Sequence, residues 1–383
     1  MVCAEVFKKI EELNESYYDV WEQACNLESP TQDKASVDAV GSYFARMAEE
    51  RGWKVEYCRQ AVSGDVVNIT LNPDSPEKPL IISGHIDTVH PVGSWGSPAV
   101  RRDAEKIYGP GVTDCKGGVV AGFMAMDALW RCGFDKRPVR LLLQTDEEVS
   151  SLQSDKATIN YICEKAMEGV GFMNLETHTT GFTCTSRKGV ATYRFRVEGK
   201  EGHASRCVTE GASAVADAAH KIIELEKLKD DNGLTCSCGI VRGGTASNTI
   251  PGECIIVANF RFATAQQWEW LENYVRELSE TVHVPGCKCT YELAGMRPAM
   301  EEVERNMEFL KKANAIFAEN GLLELKPRML RGGSDAADVT AYGGTCLDSL
   351  GVRGGGSHTA NEYAWLESLA EAAKRVAAVA CCI

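Results

Sequence analysis

The first half of the chain alternates between helical and extended hydrophobic patterns. Apolar residues at helical spacing predict amphipathic helices over about Glu5–Cys25 and Val37–Arg51, and a buried helix begins at Gly117 and ends at Gly133. Uninterrupted apolar runs predict the buried strands Asp65–Leu71, Pro79–Gly84, Val139–Thr145 and Gly169–Glu176. Continuous apolar strands separated by helices are typical of an α/β domain whose mostly parallel sheet is flanked by helices on both faces.

The pattern changes after Arg187. The next predicted elements follow the order β-α-β-β-α-β, which is the split βαβ, or ferredoxin-like, arrangement. In chain order they are Gly189–Val197, Ala212–Lys227, Leu234–Val241, Glu253–Phe262, Ala265–Val282 and Cys287–Leu293. Patterns of the first kind resume from Met300. We therefore predict a larger α/β domain formed by residues 1–188 and 297–383, with a smaller domain, residues 189–296, inserted into it.

Composition and charge narrow the classes of function. The net charge of -13 argues against nucleic acid and anionic membranes as partners, because an acidic surface is repelled by both. The N-terminal segment mixes charged and apolar residues instead of showing a secretory signal, so we expect a cytoplasmic protein. The 16 cysteines include no C-x2-C pair, and we interpret them as reduced thiols rather than a disulfide framework or a zinc knuckle.

Polar residues follow the ends of the predicted parallel strands. His85 and Asp87 follow Pro79–Gly84, an acidic run at residues 146–148 follows Val139–Thr145, and Glu176 ends the third strand. A glycine-rich loop, GPGVTDCKGG, places Asp114 before a helix; it lacks the third glycine of a dinucleotide-binding loop. Each feature alone has an ordinary explanation as a polar strand end or a solvated turn. Together they would repel strongly on one rim without a cation, and imidazole with carboxylate is ligand chemistry suited to zinc.

Eight short motifs connect these residues to a known family. They are GHIDTV, GPGVTDCKGG, TDEEVS, NLET, EGHAS, ASNTIP, GGSDAA and GGGSHTANE, which occur in this order over residues 84–362. The ordered set resembles the di-zinc metallohydrolases that include acetylornithine deacetylase, succinyl-diaminopimelate desuccinylase, aminoacylase and bacterial glutamate carboxypeptidase. The resemblance implies a zinc-peptidase-like catalytic domain and an inserted domain that serves as lid and dimerisation module.

The resemblance also implies roles for particular residues. Two Zn²⁺ ions per chain are expected, with Co²⁺ or Mn²⁺ as alternatives, and Asp114 would bridge them. The remaining ligands would be His85 with Glu176 at one ion, and Glu148 with His358 at the other. Asp87 would orient His85, and Glu147 would be the general base. His203 would stabilise the oxyanion from a neighbouring subunit, which implies a homodimer; its ordinary explanation is a surface histidine after a glycine-rich turn.

Substrate specificity is expected to depend on a second group. Asn248 and Arg261 match residues that bind the substrate's carboxylate end, although Arg261 also fits a surface arginine at a strand end. Arg297 matches an arginine of glutamate carboxypeptidases, and Ser334 a loop lining the same pocket. Glu176 is commoner among deacylases and desuccinylases, whereas the C-terminal motifs are nearest the carboxypeptidases. Cys115 departs from the bulky apolar residue that the family often has.

These residues lead to a hydrolase hypothesis with defined alternatives. We expect a zinc carboxypeptidase that releases a C-terminal amino acid, with acidic residues as the expected class, from a small peptide or conjugate. The alternatives with the same chemistry are an N-acyl-amino-acid deacylase and a dipeptidase. A non-catalytic binding protein on the same fold is the remote alternative.

Overall fold

The computed structural model describes residues 3–383. Its α-helices are α1 (Cys3–Asn26), α2 (Lys34–Glu49), α3 (Lys116–Arg131), α4 (Ala157–Met167), α5 (Ala214–Glu226), α6 (Ala265–Glu280), α7 (Glu304–Glu319), α8 (Asp335–Tyr342) and α9 (Ser368–Cys382). Its strands are β1 (Lys54–Cys58), β2 (Val66–Leu71), β3 (Leu80–His85), β4 (Arg101–Arg102), β5 (Lys106–Tyr108), β6 (Val139–Gln144), β7 (Gly171–Asn174), β8 (Phe182–Arg187), β9 (Gly189–Glu198), β10 (Gly202–His203), β11 (Thr235–Gly243), β12 (Thr249–Ile250), β13 (Glu253–Phe262), β14 (Lys288–Arg297), β15 (Lys326–Leu330), β16 (Cys346–Leu347), β17 (Gly354–Gly355) and β18 (Tyr363–Trp365).

The described chain divides into two compact units. Unit 1 comprises residues 3–186, Glu302–Leu330 and Ser334–Ile383, and unit 2 comprises Arg187–Glu301 and Arg331–Gly333. Unit 2 is thus slightly longer than the inserted segment 189–296 of the sequence analysis, and it includes a short later segment. Arg187 connects that segment to the unit, because its guanidinium donates to the carbonyls of Gly332 at 3.1 Å and Gly333 at 3.2 Å.

A six-stranded sheet forms the centre of unit 1. Its strand order is β1-β2-β6-β3-β7-β16, in which β6, β3, β7 and β16 are parallel neighbours and β1 and β2 pair in antiparallel fashion. Every residue of β2, β3 and β7 is buried, so helices and loops cover both faces of these strands. The predicted α/β class with a mostly parallel sheet is confirmed.

Helix α3 lies close against the end of β7. A Cβ atom added at Gly118 would lie 1.9 Å from the carbonyl oxygen of Leu175, so only glycine allows this approach. Trp21 of α1 also donates its indole N–H to the carbonyl of Val112 at 3.1 Å. These contacts determine where the loop preceding α3 lies, and this loop contains Asp114.

Unit 2 has the predicted β-α-β-β-α-β element order, with strands in the order β11-β13-β9-β14. All three pairings are antiparallel. Alternate residues of β9 are buried with residues of α5 and α6 in a separate core, among them Ala191, Tyr193, Phe195 and Val197. Where the chain enters and leaves this unit, Arg187 and Met300 exchange two backbone hydrogen bonds of 2.8 and 3.0 Å.

No helix in residues 3–383 combines the length and the apolar character needed to cross a membrane.

Candidate active site

All five predicted metal ligands lie in unit 1, and the structure brings their side chains together. His85 ends β3, Glu148 lies in a 3₁₀ turn after β6, and Glu176 follows β7 by two residues. Because β6, β3 and β7 are parallel neighbours, their carboxyl ends lie at one edge of the sheet. Asp114 and His358 reach this edge from the loop before α3 and the loop between β17 and β18.

The carboxylate of Asp114 lies between two histidines. Its Oδ1 is 3.1 Å from His85 Nε2 and its Oδ2 is 3.3 Å from His358 Nε2. Glu176 Oε1 lies 3.6 Å from His85 Nε2, while Glu148 Oε2 lies 2.9 Å from His358 Nε2. The side chains therefore form two groups, each with one histidine and one glutamate, and the groups share Asp114.

The charges of this cluster are unbalanced. Burial raises the pKa of Glu148 to about 7 and holds the pKa of Glu176 well above its ordinary value. Hydrogen bonds with Asp114 and Glu148 raise the pKa of His358 to about 10. These three shifts make the cluster less negative. Asp114 is shifted the other way: burial would raise its pKa, but hydrogen bonds with His358 and His85 hold the pKa of Asp114 well below its ordinary value. The donor set of imidazole nitrogens and carboxylate oxygens fits zinc and similar divalent ions.

Asp87 holds two parts of the site in place. The ring atom Nδ1 of His85 lies 3.0 Å from the main-chain oxygen of Asp87 and 3.3 Å from its carboxylate Oδ1. The expected contact with the ring is thus shared between backbone and side chain. The carboxylate also accepts hydrogen bonds from the backbone N–H groups of Glu147 at 3.3 Å and Glu148 at 3.2 Å, and from the hydroxyl of Thr31 at 2.8 Å.

Glu147 begins the 3₁₀ turn Glu147–Val149 and is partly exposed, next to the buried side chain of Glu148. Adjacent positions in a tight turn point in different directions, so the two glutamates face different surroundings. Asp87 contacts both backbone N–H groups of this pair. The turn is therefore fixed directly against the strand end that carries His85.

Ser334 has a different environment from the one expected. It is fully buried at the start of α8, where its hydroxyl oxygen accepts the N–H of Ala336 at 3.2 Å and a hydrogen bond from Asn174 at 2.9 Å. The residue caps a helix and ties it to β7. The hydroxyl of Ser334 is thus engaged within unit 1, and its expected place in a loop lining a substrate pocket stays a prediction.

Four of the remaining predicted residues lie in unit 2, where they form two pairs. His203 and Thr249 are paired in the β10–β12 ladder, and the carbonyl of Asn248 accepts the N–H of Ala204 at 2.9 Å. The ring nitrogen Nδ1 of His203 accepts the N–H of Ser205 at 3.3 Å. In a neutral ring the other nitrogen, Nε2, then carries the proton and is a donor.

Arg261 and Arg297 form the second pair. Both are in register with Val190 of β9, one on each neighbouring strand, so their side chains lie on one face of the sheet. Arg297 is only 2% exposed, and burial lowers the pKa of Arg261. This face is opposite the one that packs against α5 and α6.

Two residues near the metal cluster were missed by the sequence analysis. Glu362 is buried, and its carboxylate accepts backbone N–H groups from the loop containing Asp114. Thr31 is buried against Asp87. Glu362 lies within the GGGSHTANE motif, which was the available signal, whereas nothing in the local pattern around Thr31 indicates its role.

Two histidine–carboxylate groups lie at one edge of the mixed sheet of unit 1, and unit 2 has a ferredoxin-like element order. Together these features define a class of metal-dependent hydrolases. The match to a family model is specific: residues 81–381 match the model of peptidase family M20/M25/M40. The chain belongs to this family, and it is a hydrolase of the metallopeptidase type. The metal-binding character of the family agrees with two sets of side chains whose ligand atoms lie within 4.8 Å of one another, His85–Asp114–Glu148 and His85–Cys115–Glu176. The first set shows that Glu148, the partner of His358, is also near His85.

Individual relatives have related activities. The chain is 26% identical to carboxypeptidase G2 of Pseudomonas sp. strain RS-16 over 349 residues, which cover 88% of this chain and 82% of the relative. It is 25% identical to succinyl-diaminopimelate desuccinylase of Thioalkalivibrio sulfidiphilus over 323 residues, or 80% and 84% of the two chains. The fold is similar to that of aminopeptidase PepT from Bacillus cereus, with a TM-score of 0.80, 19% identity and coverage of 96% and 98%.

Proposed function

We propose that this chain is a carboxypeptidase that uses two zinc ions to hydrolyse the amide bond next to a free carboxylate and releases a C-terminal acidic amino acid. The observation that carries the proposal is the position of Asp114, whose two oxygens face two separate histidine–glutamate groups. A carboxylate placed in this way is suited to bridge two ions.

The residues of the site have different roles in the proposed hydrolysis. Two zinc ions held by these ligands would polarise the substrate carbonyl and lower the pKa of an attacking water to about 7. Glu147 accepts the proton of that water and then delivers it to the leaving amine. Asp87 fixes the position of the His85 ring relative to the turn that carries Glu147. His203 donates from Nε2 to the oxyanion that forms on the substrate carbonyl.

The two arginines of unit 2 support a preference for acidic substrates. Arg261 and Arg297 flank the same residue of β9, so their Cα atoms are separated by two strand spacings, about 10 Å. Each guanidinium can hold a carboxylate through two parallel hydrogen bonds. A C-terminal acidic residue offers two carboxylates. One would bind the partly exposed Arg261, and the other would bind the buried Arg297 by displacing its present contacts. The name of the relative carboxypeptidase G2 agrees with release of a C-terminal residue.

An N-acyl-amino-acid deacylase is the second candidate. The observation in its favour is the relative that is a succinyl-diaminopimelate desuccinylase, together with Glu176 at the ligand position. A dipeptidase shares the same chemistry but requires a free amine on the substrate. Both alternatives use the same metal ligands and the same base, so the choice of substrate separates the three functions.

A substrate panel tests the proposal. Zinc-loaded protein is assayed with dipeptides ending in glutamate, the same dipeptides with a blocked N-terminus, and N-acetyl and N-succinyl amino acids. We expect the highest kcat/KM for the peptides ending in glutamate, with or without the block. Higher values for the N-acyl substrates would assign the deacylase, and loss of activity on blocking would assign the dipeptidase. No hydrolysis of any member would overturn the function.

The variant Glu147→Gln is the control for this assay. It keeps the shape of the side chain and removes the base, so we expect kcat to fall by about 10²–10⁴-fold. The zinc content should remain that of the wild-type protein, since Glu147 is not among the proposed ligands. Full activity in this variant would show that another residue is the base.

A homodimer follows from the proposed role of His203 in a neighbouring subunit. The variants His203→Ala and Glu147→Gln should each be inactive. In a mixed dimer, the site of the His203→Ala chain receives an intact His203 from its partner, so mixing the two inactive variants should restore about a quarter of the wild-type activity. An active monomer in light scattering, or no recovery on mixing, would contradict the proposal.

A further inference from the structure

The carboxylate of Glu362 lies against the loop that carries Asp114. Its Oε1 accepts the backbone N–H groups of Thr113 at 2.9 Å and Asp114 at 3.1 Å, and its Oε2 accepts that of Gly111 at 3.1 Å. The ring nitrogen Nε2 of His90 lies 3.3 Å from Oε2. Glu362 is only 1% exposed. Three N–H groups from four consecutive residues therefore meet at one buried anion.

The loop needs such a partner because it has no regular structure of its own. It connects β5 to α3, and Gly109 and Gly111 have positive φ angles of 159° and 74°. The N–H groups of Gly111, Thr113 and Asp114 lie outside any strand ladder, whereas that of Val112 donates to the carbonyl of Gly109 at 3.4 Å. Buried N–H groups without acceptors cost about 1–3 kcal/mol each. Glu362 supplies these acceptors. These hydrogen bonds fix the backbone of Asp114, which is the residue whose side chain faces both histidines.

Glu362 also belongs to the segment that carries the second histidine. His358 lies four residues earlier and adopts a left-handed backbone conformation, with φ of 63°. The side chain of His358 is 54% exposed, so packing alone does not hold it. The carboxylate of Glu362 joins this segment to the loop of Asp114. One side chain thus sets the spacing between two of the proposed ligands.

We propose that Glu362 is a positioning residue that fixes the Asp114 loop and thereby sets the affinity of the site for divalent metal. The proposal rests on the proposed function only in treating Asp114 and His358 as ligands. A carboxylate is required because both oxygens must accept. An amide in its place keeps one acceptor and directs an N–H group at the backbone N–H donors.

The variant Glu362→Gln tests this role, with Asp217→Asn as a matched control. Asp217 is a buried carboxylate of unit 2 that likewise accepts two backbone N–H groups, from His283 at 2.8 Å and Val284 at 2.9 Å. It lies in a unit that contains none of the proposed ligands. Its Oδ1 accepts both N–H groups, while Oδ2 lies 3.5 Å from the buried Lys221. Asp217→Asn therefore reports the effect of neutralising a buried carboxylate away from the proposed ligands, and a loss of metal affinity should be confined to Glu362→Gln.

Each variant is characterised by three measurements that do not depend on catalysis. Hydrogen exchange of the amides of Gly111, Thr113 and Asp114 is measured on chelator-treated protein, and Zn²⁺ affinity by competition with a coloured chelator. The visible absorption of Co²⁺-loaded protein reports the coordination geometry. For Glu362→Gln we expect faster exchange at these amides, a 10–100-fold loss of Zn²⁺ affinity and an altered Co²⁺ spectrum. Asp217→Asn should leave all three unchanged.

Other outcomes overturn the proposal. Unchanged exchange and affinity in Glu362→Gln would do so, as would an equal loss of affinity in Asp217→Asn. If Glu362→Gln fails to fold, Glu362→Asp is tested instead, because it keeps the charge and shortens the side chain by one methylene. A Zn²⁺ affinity of Glu362→Asp equal to that of the wild type would also contradict the proposal. A wild-type protein that binds no divalent ion would overturn the proposed function, and the exchange measurement would still decide whether Glu362 positions the loop.

Discussion

At the residue scale, the site depends on carboxylates that accept backbone N–H groups as well as on those that face the ions. Asp87 accepts the N–H groups of Glu147 and Glu148 and lies against the ring of His85. Because Asp87 is fully buried, its carboxylate depends on these hydrogen bonds in place of hydrogen bonds to water. A change at Asp87 is therefore expected to reach both the metal cluster and the proposed base.

The variant Asp87→Asn should lower Zn²⁺ affinity by about 10–100-fold, because it removes one acceptor from the pair of N–H groups and weakens the contact with His85. Thr31→Val removes a single hydrogen bond to the same carboxylate and should have a smaller effect in the same direction. Zn²⁺ affinity by chelator competition measures both. Equal affinities in wild type and Asp87→Asn would show that the backbone oxygen of Asp87 alone orients the ring.

Residues that face a ligand were easier to predict than residues that support them. Imidazoles and carboxylates are chemically distinctive, and all five predicted ligands occur in recognisable motifs. Three of them follow or end predicted strands, and the structure brings the set together: His85, Asp114, Glu148, Glu176 and His358. Supporting residues such as Glu362 act on backbone N–H groups that are distant in sequence. No spacing rule identifies a contact between residues about 250 positions apart, so such contacts require the fold.

At the scale of elements, Asp127 of α3 joins three segments of unit 1. Its carboxylate forms two hydrogen bonds with Arg51, which follows α2, at 3.0 and 3.1 Å, and accepts the hydroxyl of Tyr17 of α1 at 2.7 Å. Arg131, one turn later on α3, lies 3.0 Å away. Asp127 is fully buried, so these partners replace water completely. The cluster fixes α3, and hence the loop that precedes it.

Replacing Asp127 with Asn should lower the free energy of unfolding by about 3–5 kcal/mol, because it leaves Arg51 without its buried counter-ion. Denaturant unfolding at pH 7 measures this loss. Asp74→Asn, at an exposed position, is the control and should be nearly neutral. A loss below about 1 kcal/mol in Asp127→Asn would show that Arg51 finds a new partner or water.

The same residue gives a pH dependence of definite sign. Burial alone would raise the pKa of Asp127, but the hydrogen bonds from Arg51 and Tyr17 hold it below its ordinary value. A carboxyl whose pKa is lower in the folded state contributes stability above the pKa of an unfolded aspartate, about 3.9, and loses it as the pH falls through the folded pKa. The difference in unfolding free energy between wild type and Asp127→Asn should therefore narrow below about pH 4. A difference independent of pH would contradict this assignment.

Elements with long apolar runs were predicted well, and short ones were not. The runs that predict strands at Pro79–Gly84 and Val139–Thr145 correspond to β3 and β6 within one residue at each end. The small sheet of β4, β5, β17 and β18 was absent from the prediction. Its strands have two or three residues, too few to show an alternating pattern, and the pairing that joins its two halves, β5 with β18, spans about 250 residues of sequence.

At the scale of the whole molecule, metal binding and the stability of the folded protein should be coupled. The cluster gathers three carboxylates at a buried edge, and an ion bound only by the folded protein shifts the equilibrium toward it. Removing the metal with a chelator should lower Tm, and adding Zn²⁺ should restore it. At 100 times the Kd, the gain is about 2.7 kcal/mol in unfolding free energy per site. Identical melting curves with and without chelator would contradict the coupling.

The exchange of two backbone hydrogen bonds between Arg187 and Met300 has a consequence for protein engineering. Residues paired in this way have Cα atoms about 5.5 Å apart, a gap that a two-residue hairpin turn closes. The inserted segment could thus be excised and its ends religated as a β-hairpin, which would leave a minimal chain with the larger core and every proposed metal ligand. Such a miniature should still bind zinc while losing turnover, which would separate ion binding from catalysis.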